Sequence, residues 1–414
     1  MIAEIIAVGS EMLTPSRQDT NSLFLTGRLN ELGINVAFKT VVGDNGEHLV
    51  SVTQAAIGRA DLCIFMGGLG PTEDDLTREA VAKALGLGLK RDHEIVTAMY
   101  KRFAERRLQM PENNARQADI LLGAVVLPNS RGTAPGQWLE TDWDGRRRIV
   151  VLLPGPPHEL QALWERQCLP RLREIVPPAA IATRVLKTAM LPESAADART
   201  APIYQKHPEV ETTVLAGQGQ VEFHLRTTAA TQEEAQAAVD RLAGELEDEL
   251  GDAVFSSAGE SLEEIVGYYL QMRSAKLAVA ESCTGGMIAE RITSVAGSSR
   301  YFLGGAVVYS NELKTLFADI PPLMLEAHGA VSKEVALALA ENIRDICNAD
   351  IGVGVTGIAG PGGGTEEKPV GLVYVAVTDG RNQEVVQRRF PGDRERIRRW
   401  ASQQALDMVR RMLM

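Results

Sequence analysis

Short apolar runs that end at glycine or a turn, each followed by a helical pattern, constrain this chain more than any other feature. Residues 2–8 (Ile-Ala-Glu-Ile-Ile-Ala-Val) read as a buried strand stopping at Gly9. Residues 21–32 follow with leucines at helical spacing (Leu23, Leu25, Leu29, Leu32) and a stop at Gly33. Residues 36–42 read as a strand, 49–59 as a helix, 61–66 as a second buried strand, and 75–85 as a helix beyond the Gly67–Gly70 loop. Strands alternating with helices at this pitch predict a three-layer α/β domain with a mostly parallel sheet. Ligands of such sheets bind beyond the carboxyl ends of the strands. Gly9-Ser10-Glu11 and Gly67–Asp75 fall there.

A chain of 414 residues exceeds one core, so several domains are expected. The first closes near residues 149–157 and a last helix to about 175, giving a domain over residues 1–176. Pro177-Pro178-Ala179-Ala180 is the linker candidate. Residues 177–256 form a small α+β module: Val221, Phe223 and Leu225 alternate with polar residues, and Ala235, Val239, Leu242, Leu246 and Leu250 mark one helix face. Residues 257–414 are a second α/β domain. Ser261-Leu262-Glu263-Glu264 opens it as a capped helix, residues 276–280 are a strand, and 287–293 are helical. Further strands are predicted at 305–310, 350–355, 370–377 and 384–390, with a final helix at 394–412.

The third domain carries a Ser, Tyr and Lys constellation: Ser282 within Ala280-Glu281-Ser282-Cys283-Thr284-Gly285-Gly286, then Tyr309 and Lys314. A serine hydroxyl needs a base to become nucleophilic. At Ser282 the chain leaves a strand and turns through glycines into a helix. That geometry exposes a side chain and aims the N–H groups of Thr284, Gly285 and Gly286 at an oxyanion or phosphate. No Ser/His/Asp order exists here, so Lys314 is the base candidate, provided that burial beside another cation lowers its pKa from about 10.4. Tyr309 would relay the proton or hold the geometry. Taken singly, Lys314 reads as a surface lysine, Tyr309 as a packed strand-end aromatic, and Ser282 as a turn residue. Cys283 points to the other face and reads as an inert buried thiol. The glycine-rich loop from Thr356 and Gly357 to Gly364 reaches the same sheet edge, and Arg394 and Arg398, one helical turn apart, form an anion clamp.

In the first domain, Gly67, Gly68, Gly70 and Thr72 sit at a helix start, a ready anion site. Asp74 and Asp75 would repel a bare phosphate unless a divalent metal such as Mg²⁺ lies between, which points to metal-assisted chemistry on a nucleotide phosphate. The plain alternative is that these acids cap the helix. Asp44 approaches the same edge, and Glu11 and Asn21 flank the first loop.

The net charge of −11 argues against a nucleic-acid partner. Four cysteines without CxxC spacing suit a reducing compartment and give no zinc signature. No run reaches 18 apolar residues, so no membrane role is expected, and the chain reads as cytoplasmic.

Six ordered blocks resemble the CinA family: AESCTGG, Tyr309–Lys314, His328–Ser332, Thr356–Gly364, Glu367–Gly371 and Gly392-Asp393-Arg394. In the first domain the pieces are Gly9-Ser10-Glu11, Asp19-Thr20-Asn21-Ser22, Gly67–Asp75, Gly132–Gly136 and Leu153–Pro157. The resemblance implies a C-terminal amidohydrolase without a cofactor. It would convert nicotinamide mononucleotide to nicotinic acid mononucleotide and ammonia, with Ser282 as nucleophile, Lys314 and Tyr309 activating it, Thr356 lining the pocket, and an arginine of residues 394–399 on the phosphate. For the first domain it implies a molybdopterin-binding-like fold and an ADP-ribose pyrophosphatase using a divalent metal helped by K⁺. Asp44 and Asp75 match aspartates that function in molybdopterin-adenylating relatives. The chain departs from the family pattern at Pro15-Ser16-Arg17. A homodimer is also implied. The rival readings are a pterin-adenylating first domain, and a nucleotide-binding regulator tied to competence or DNA damage.

Overall fold

The computed structural model describes residues 1–177, 180–217 and 219–414; Pro178 and Ala179 of the linker candidate lie outside the described residues. The chain divides into two compact units, residues 1–179 and 180–414.

In the first unit the order is β1 (Ile2–Val8), α1 (Thr20–Glu31), β2 (Asn35–Val42), α2 (Gly46–Arg59), β3 (Leu62–Met66) and α3 (Thr77–Leu85). There follow β4 (Leu89–Arg91), α4 (His93–Glu105), β5 (Asp119–Leu121), β6 (Val125–Leu127), β7 (Gly136–Trp143), β8 (Arg146–Leu153), α5 (Pro157–Leu163) and, after a π turn, α6 (Leu169–Ile175). The main sheet runs β2-β1-β3-β8-β7-β6, parallel through β8 and antiparallel beyond. Its central strand β3 is apolar at every position because both faces are covered, and β1 is apolar but for Glu4. Ile5, Ile64 and Val151 pack toward α1 and α5, whereas Ile6, Phe65 and Val150 pack toward α2 and α3. The three-layer expectation holds. Helix α3 begins at Thr77 rather than Asp75, and its cap position, Leu76, has no side-chain cap bond.

The second unit opens with β9 (Ala180–Ala189), α7 (Glu193–Tyr204), β10 (Glu211–Gly217), β11 (Gln220–Ala229), α8 (Gln232–Leu250) and β12 (Val254–Ser256), an antiparallel sheet in the order β10-β11-β9-β12. The alternating Val221, Phe223 and Leu225 meet the α8 face carrying Val239, Leu242 and Leu246. Next come α9 (Leu262–Met272), β13 (Leu277–Glu281), α10 (Met287–Thr293), β14 (Phe302–Val307), α11 (Asn311–Ala318), α12 (Pro322–His328) and α13 (Lys333–Ile346). The chain ends with β15 (Ile351–Gly357), β16 (Leu372–Thr378), β17 (Gln383–Arg389) and α14 (Arg394–Leu413). The sheet order is β14-β13-β15-β16-β17. Valines of β15 face the core built with α9 and α14. Its glycines face α13, where a Cβ on Gly352 or Gly354 would lie 2.0 or 2.2 Å from a helix carbonyl. The alternation of glycine and valine therefore lets α13 lie directly on the strand. Strand β14 stops at Val307, short of the predicted Ser310, because the Ser310 side chain caps α11 by accepting the Leu313 N–H at 3.2 Å.

Candidate functional site

Ser282 lies one residue beyond the end of β13, its N–H bonded to the Val355 carbonyl of β15 at 3.0 Å. Helix α11, set by the Ser310 cap, turns Lys314 inward. The amine reaches Ser282 Oγ at 3.2 Å and the Val308 carbonyl at 3.0 Å. Lys314 is 2% exposed and Ser282 7%. Burial pushes the lysine pKa below its ordinary value; the Cys283 and Glu312 side chains oppose this. The shift thus comes from desolvation, and not from the neighbouring cation that the sequence suggested. Cys283 packs into the apolar core, and burial raises its thiol to about 12, which makes it inert.

Tyr309 stands elsewhere than expected. Its ring is half exposed, its hydroxyl accepts a hydrogen bond from Arg394, and its contact with the lysine amine runs through its backbone carbonyl at 3.5 Å. Ending β14 early removes Tyr309 from the strand and turns its side chain toward α14. Arg394 also donates to the Gly360 carbonyl at 2.7 Å, so it joins Tyr309 to the glycine-rich loop. Arg398 donates twice to the Thr284 carbonyl, at 3.1 and 2.7 Å. The structure therefore brings both arginines to the loops around Ser282.

The N–H cradle is also corrected. Glu281, which the sequence reading passed over, is 1% exposed, and its carboxylate accepts from the amides of Gly286, Ile288 and Ala289 at 2.9–3.1 Å. The Gly285 amide donates to the Ser282 carbonyl. Those glycines shape the turn and do not offer free donors. The amides left in the turn are Cys283 and Thr284, which donate to no oxygen among the described residues. An acid at the strand end, five residues before the Gly286 helix cap, was a signal available in the sequence. Thr284 is fully buried and its hydroxyl has no partner among the described residues. Thr356 Oγ1 holds the Ala330 carbonyl at 2.7 Å. At Gly357 a Cβ would lie 2.8 Å from the Leu372 carbonyl, so strand packing already requires that glycine.

In the first unit, the sheet ends open on a cavity of about 710 Å³ lined by Glu11, Asn21, Asp44, the Gly67–Thr72 loop, Asp74 and Asp75. Gly67 and Gly68 have φ of 97° and 66°. The loop carbonyls are tied from behind: Thr77 holds that of Gly67 at 2.8 Å, and the buried Arg78 holds those of Leu69 and Gly70 at 2.6 and 3.0 Å. Arg78 is a second residue missed in the sequence. With its carbonyls tied back, the loop keeps the amides of Gly68, Leu69 and Gly70 without acceptors among the described residues, an arrangement suited to an anion.

Asp75 does not cap α3. Its Oδ2 accepts from the Thr72 amide at 2.9 Å and from the Thr72 hydroxyl. Asp44 Oδ2 accepts from the Ser10 amide at 2.7 Å. Asp74 is exposed, and the polar Thr72 side chain and its own backbone amide hold its pKa below the ordinary carboxylate value. Glu11 folds back over Gly9, and Asn21 donates to the Gly155 carbonyl at 2.7 Å. Among the described residues no group of three or more His, Cys, Asp or Glu is positioned to hold a metal. Among the described residues Asp44 and Asp75 each keep one carboxylate oxygen without a hydrogen-bond donor, the kind of oxygen a hard cation shared with a phosphate would take. Among the described residues no helix is long and apolar enough to cross a membrane.

Three family models match: "Probable molybdopterin binding domain" over residues 4–174, "Damage-inducible protein CinA KH domain" over 183–256, and "CinA C-terminal domain" over 259–413. A CinA-like protein of Koribacter versatilis is 65% identical over 413 residues, covering 100% of both chains. One of Acidobacterium capsulatum is 58% identical over 414 residues, again covering 100% of both. The crystal structure of the protein CinA from Thermoplasma acidophilum, described as of unknown function, is 31% identical, with a TM-score of 0.37, and covers 40% of this chain and 94% of that one. The chain belongs to the CinA family, with a molybdopterin-binding-like first domain.

Proposed function

We propose that the C-terminal domain hydrolyses the carboxamide of nicotinamide mononucleotide. The observation that carries this reading is the 3.2 Å contact between the buried Lys314 amine and Ser282 Oγ, with the amine's pKa depressed by burial. A neutral amine takes the serine proton while Oγ attacks the amide carbon. The carbonyl electrons move to oxygen, which the Cys283 and Thr284 amides would receive. Collapse breaks the C–N bond, and the lysine returns its proton to the departing nitrogen, which leaves as ammonia. Water then attacks the ester, Lys314 takes its proton and passes it back to Ser282, and the carboxylate leaves. Arg394 and Arg398 supply the charge for the substrate phosphate, with Tyr309 held by Arg394 at the rim.

The first unit is proposed as a metal-dependent ADP-ribose pyrophosphatase. Support comes from the glycine-loop amides facing a cavity that also carries carboxylates with uncommitted oxygens. Asp74 and Asp75 would hold the metal, with Asp44 on the same cavity wall, and a bound divalent ion would neutralise diphosphate charge. The match to a molybdopterin binding domain favours one rival, a pterin site, separated by whether molybdopterin or ADP-ribose binds.

The test is incubation of purified protein with each nucleotide and product identification by mass. Wild-type protein should yield nicotinic acid mononucleotide with ammonia, and AMP with ribose 5-phosphate. Ser282→Ala should lose only the first reaction. Joint loss of both reactions would contradict two independent centres.

A further inference from the structure

Gln117 lies in the 3₁₀ turn Glu112–Ala118, which is fastened to the glycine loop of the first unit's cavity. Asn113 donates to the Pro71 carbonyl at 3.3 Å, and Arg116 donates to the Thr72 carbonyl at 3.0 Å while pairing with Glu79 at 3.0 Å. These anchors turn Gln117 inward, where it lines the cavity and is 3% exposed. Its Oε1 is buried and meets no donor among the described residues. Leaving a buried amide oxygen unpaired is costly, and folded proteins rarely tolerate one without a use.

A second such atom shares the cavity. Asn21 spends its amide nitrogen on the Gly155 carbonyl, which fixes the side chain's orientation and leaves Oδ1 buried and without a partner among the described residues. Both orphans are acceptors. The cavity therefore presents backbone donors at the glycine loop, suited to an anion, and neutral acceptors toward a group bearing N–H or O–H.

We propose that Gln117 is a specificity-determining contact of this cavity, hydrogen-bonding a neutral donor of a phosphorylated nucleoside, either the amino group of its base or a hydroxyl of its ribose. This rests on reading the cavity as a nucleotide site. A side-chain amide accepts and donates side by side, the pattern that pairs with the amino edge of adenine.

Calorimetric titration of the full-length protein with AMP, with purine riboside 5′-monophosphate (which lacks the 6-amino group) and with ribose 5-phosphate tests this without turnover. Gln117→Leu, and Gln117→Met as a more adaptable filler, should weaken AMP by about tenfold or more, one good hydrogen bond being worth about 1.4 kcal/mol. Loss confined to AMP assigns the contact to the base; equal loss for all three assigns it to the ribose. Because no protein partner is lost, both variants should melt at or above the wild-type temperature. Unchanged affinities alongside wild-type binding overturn the inference alone. If the wild type binds none of the three, the nucleotide reading of the cavity falls, and the role of Gln117 with it.

Discussion

Lys314→Met removes the amine while filling much the same space, so it isolates the base from its packing. A positioned general base contributes about 10²–10⁴-fold, so kcat for ammonia release should fall by that factor with KM little changed. In the wild type the rate requires the neutral amine, so kcat/KM should climb with pH and level off below the ordinary lysine value of 10.5. Stability must follow with a definite sign. Because the folded pKa lies below the unfolded one, the unfolded chain holds the extra proton between the two values. Wild-type stability therefore rises with pH through that window, at up to about 1.4 kcal/mol per pH unit. The methionine variant has no such proton, so its stability relative to wild type should decline across the same window. The thiols of Cys63 and Cys168, each raised to about 12 by burial, titrate in both proteins and cancel in the difference; Cys283, whose thiol feels the Lys314 charge, is replaced by alanine in both proteins so that it does not enter. Scanning calorimetry from neutrality to pH 10.5, with ammonia release measured at each pH, checks both statements. A flat stability difference, together with a rate still climbing at 10.5, would show a protonated structural lysine and refute the base assignment.

Glu281→Ala strips the acceptor from three amides, each charge-assisted bond being worth about 1.5–3 kcal/mol, so the melting temperature and kcat should both drop while Glu281→Gln drops less; equal effects would deny the carboxylate its part in holding the turn. Arg394→Ala should raise KM for nicotinamide mononucleotide about tenfold or more yet leave the unphosphorylated riboside unaffected. A parallel change for both substrates would remove Arg394 from the phosphate. Gly68→Ala places a Cβ 2.2 Å from Thr77 Oγ1 at a φ of 66°, so ADP-ribose turnover should be lost with ammonia release intact; a normal pyrophosphatase rate would mean that the loop's shape is irrelevant.

Much of the architecture could be read from residue order alone, because strand and helix periodicities are local. The runs 2–8 and 61–66 announced strands covered on both faces, and residues 235–250 announced the buried stripe of α8. The turn bearing Ser282 was visible for the same reason: a strand, two glycines and a helix follow one another within a dozen residues. Ser282 and Lys314 were both nameable. Their meeting at 3.2 Å was not, since it depends on where α11 lands after the Ser310 cap ends β14 early. Tyr309 illustrates the limit, because a shift of strand end by a few residues sent its hydroxyl to Arg394.

The sequence by itself determined the alternation of layers, the glycine turns and the residue types available for chemistry, all of which follow from short-range backbone preference and side-chain period. Only the tertiary structure decided which polar groups are consumed and which are left unpaired. Glu281 occupies the helix amides, Arg78 ties back the loop carbonyls, and Gln117 Oε1 is buried with no partner among the described residues. Burial and hydrogen-bond completion depend on groups that are distant in the chain, and desolvation, which sets the lysine's basicity, exists only once those groups have closed around it.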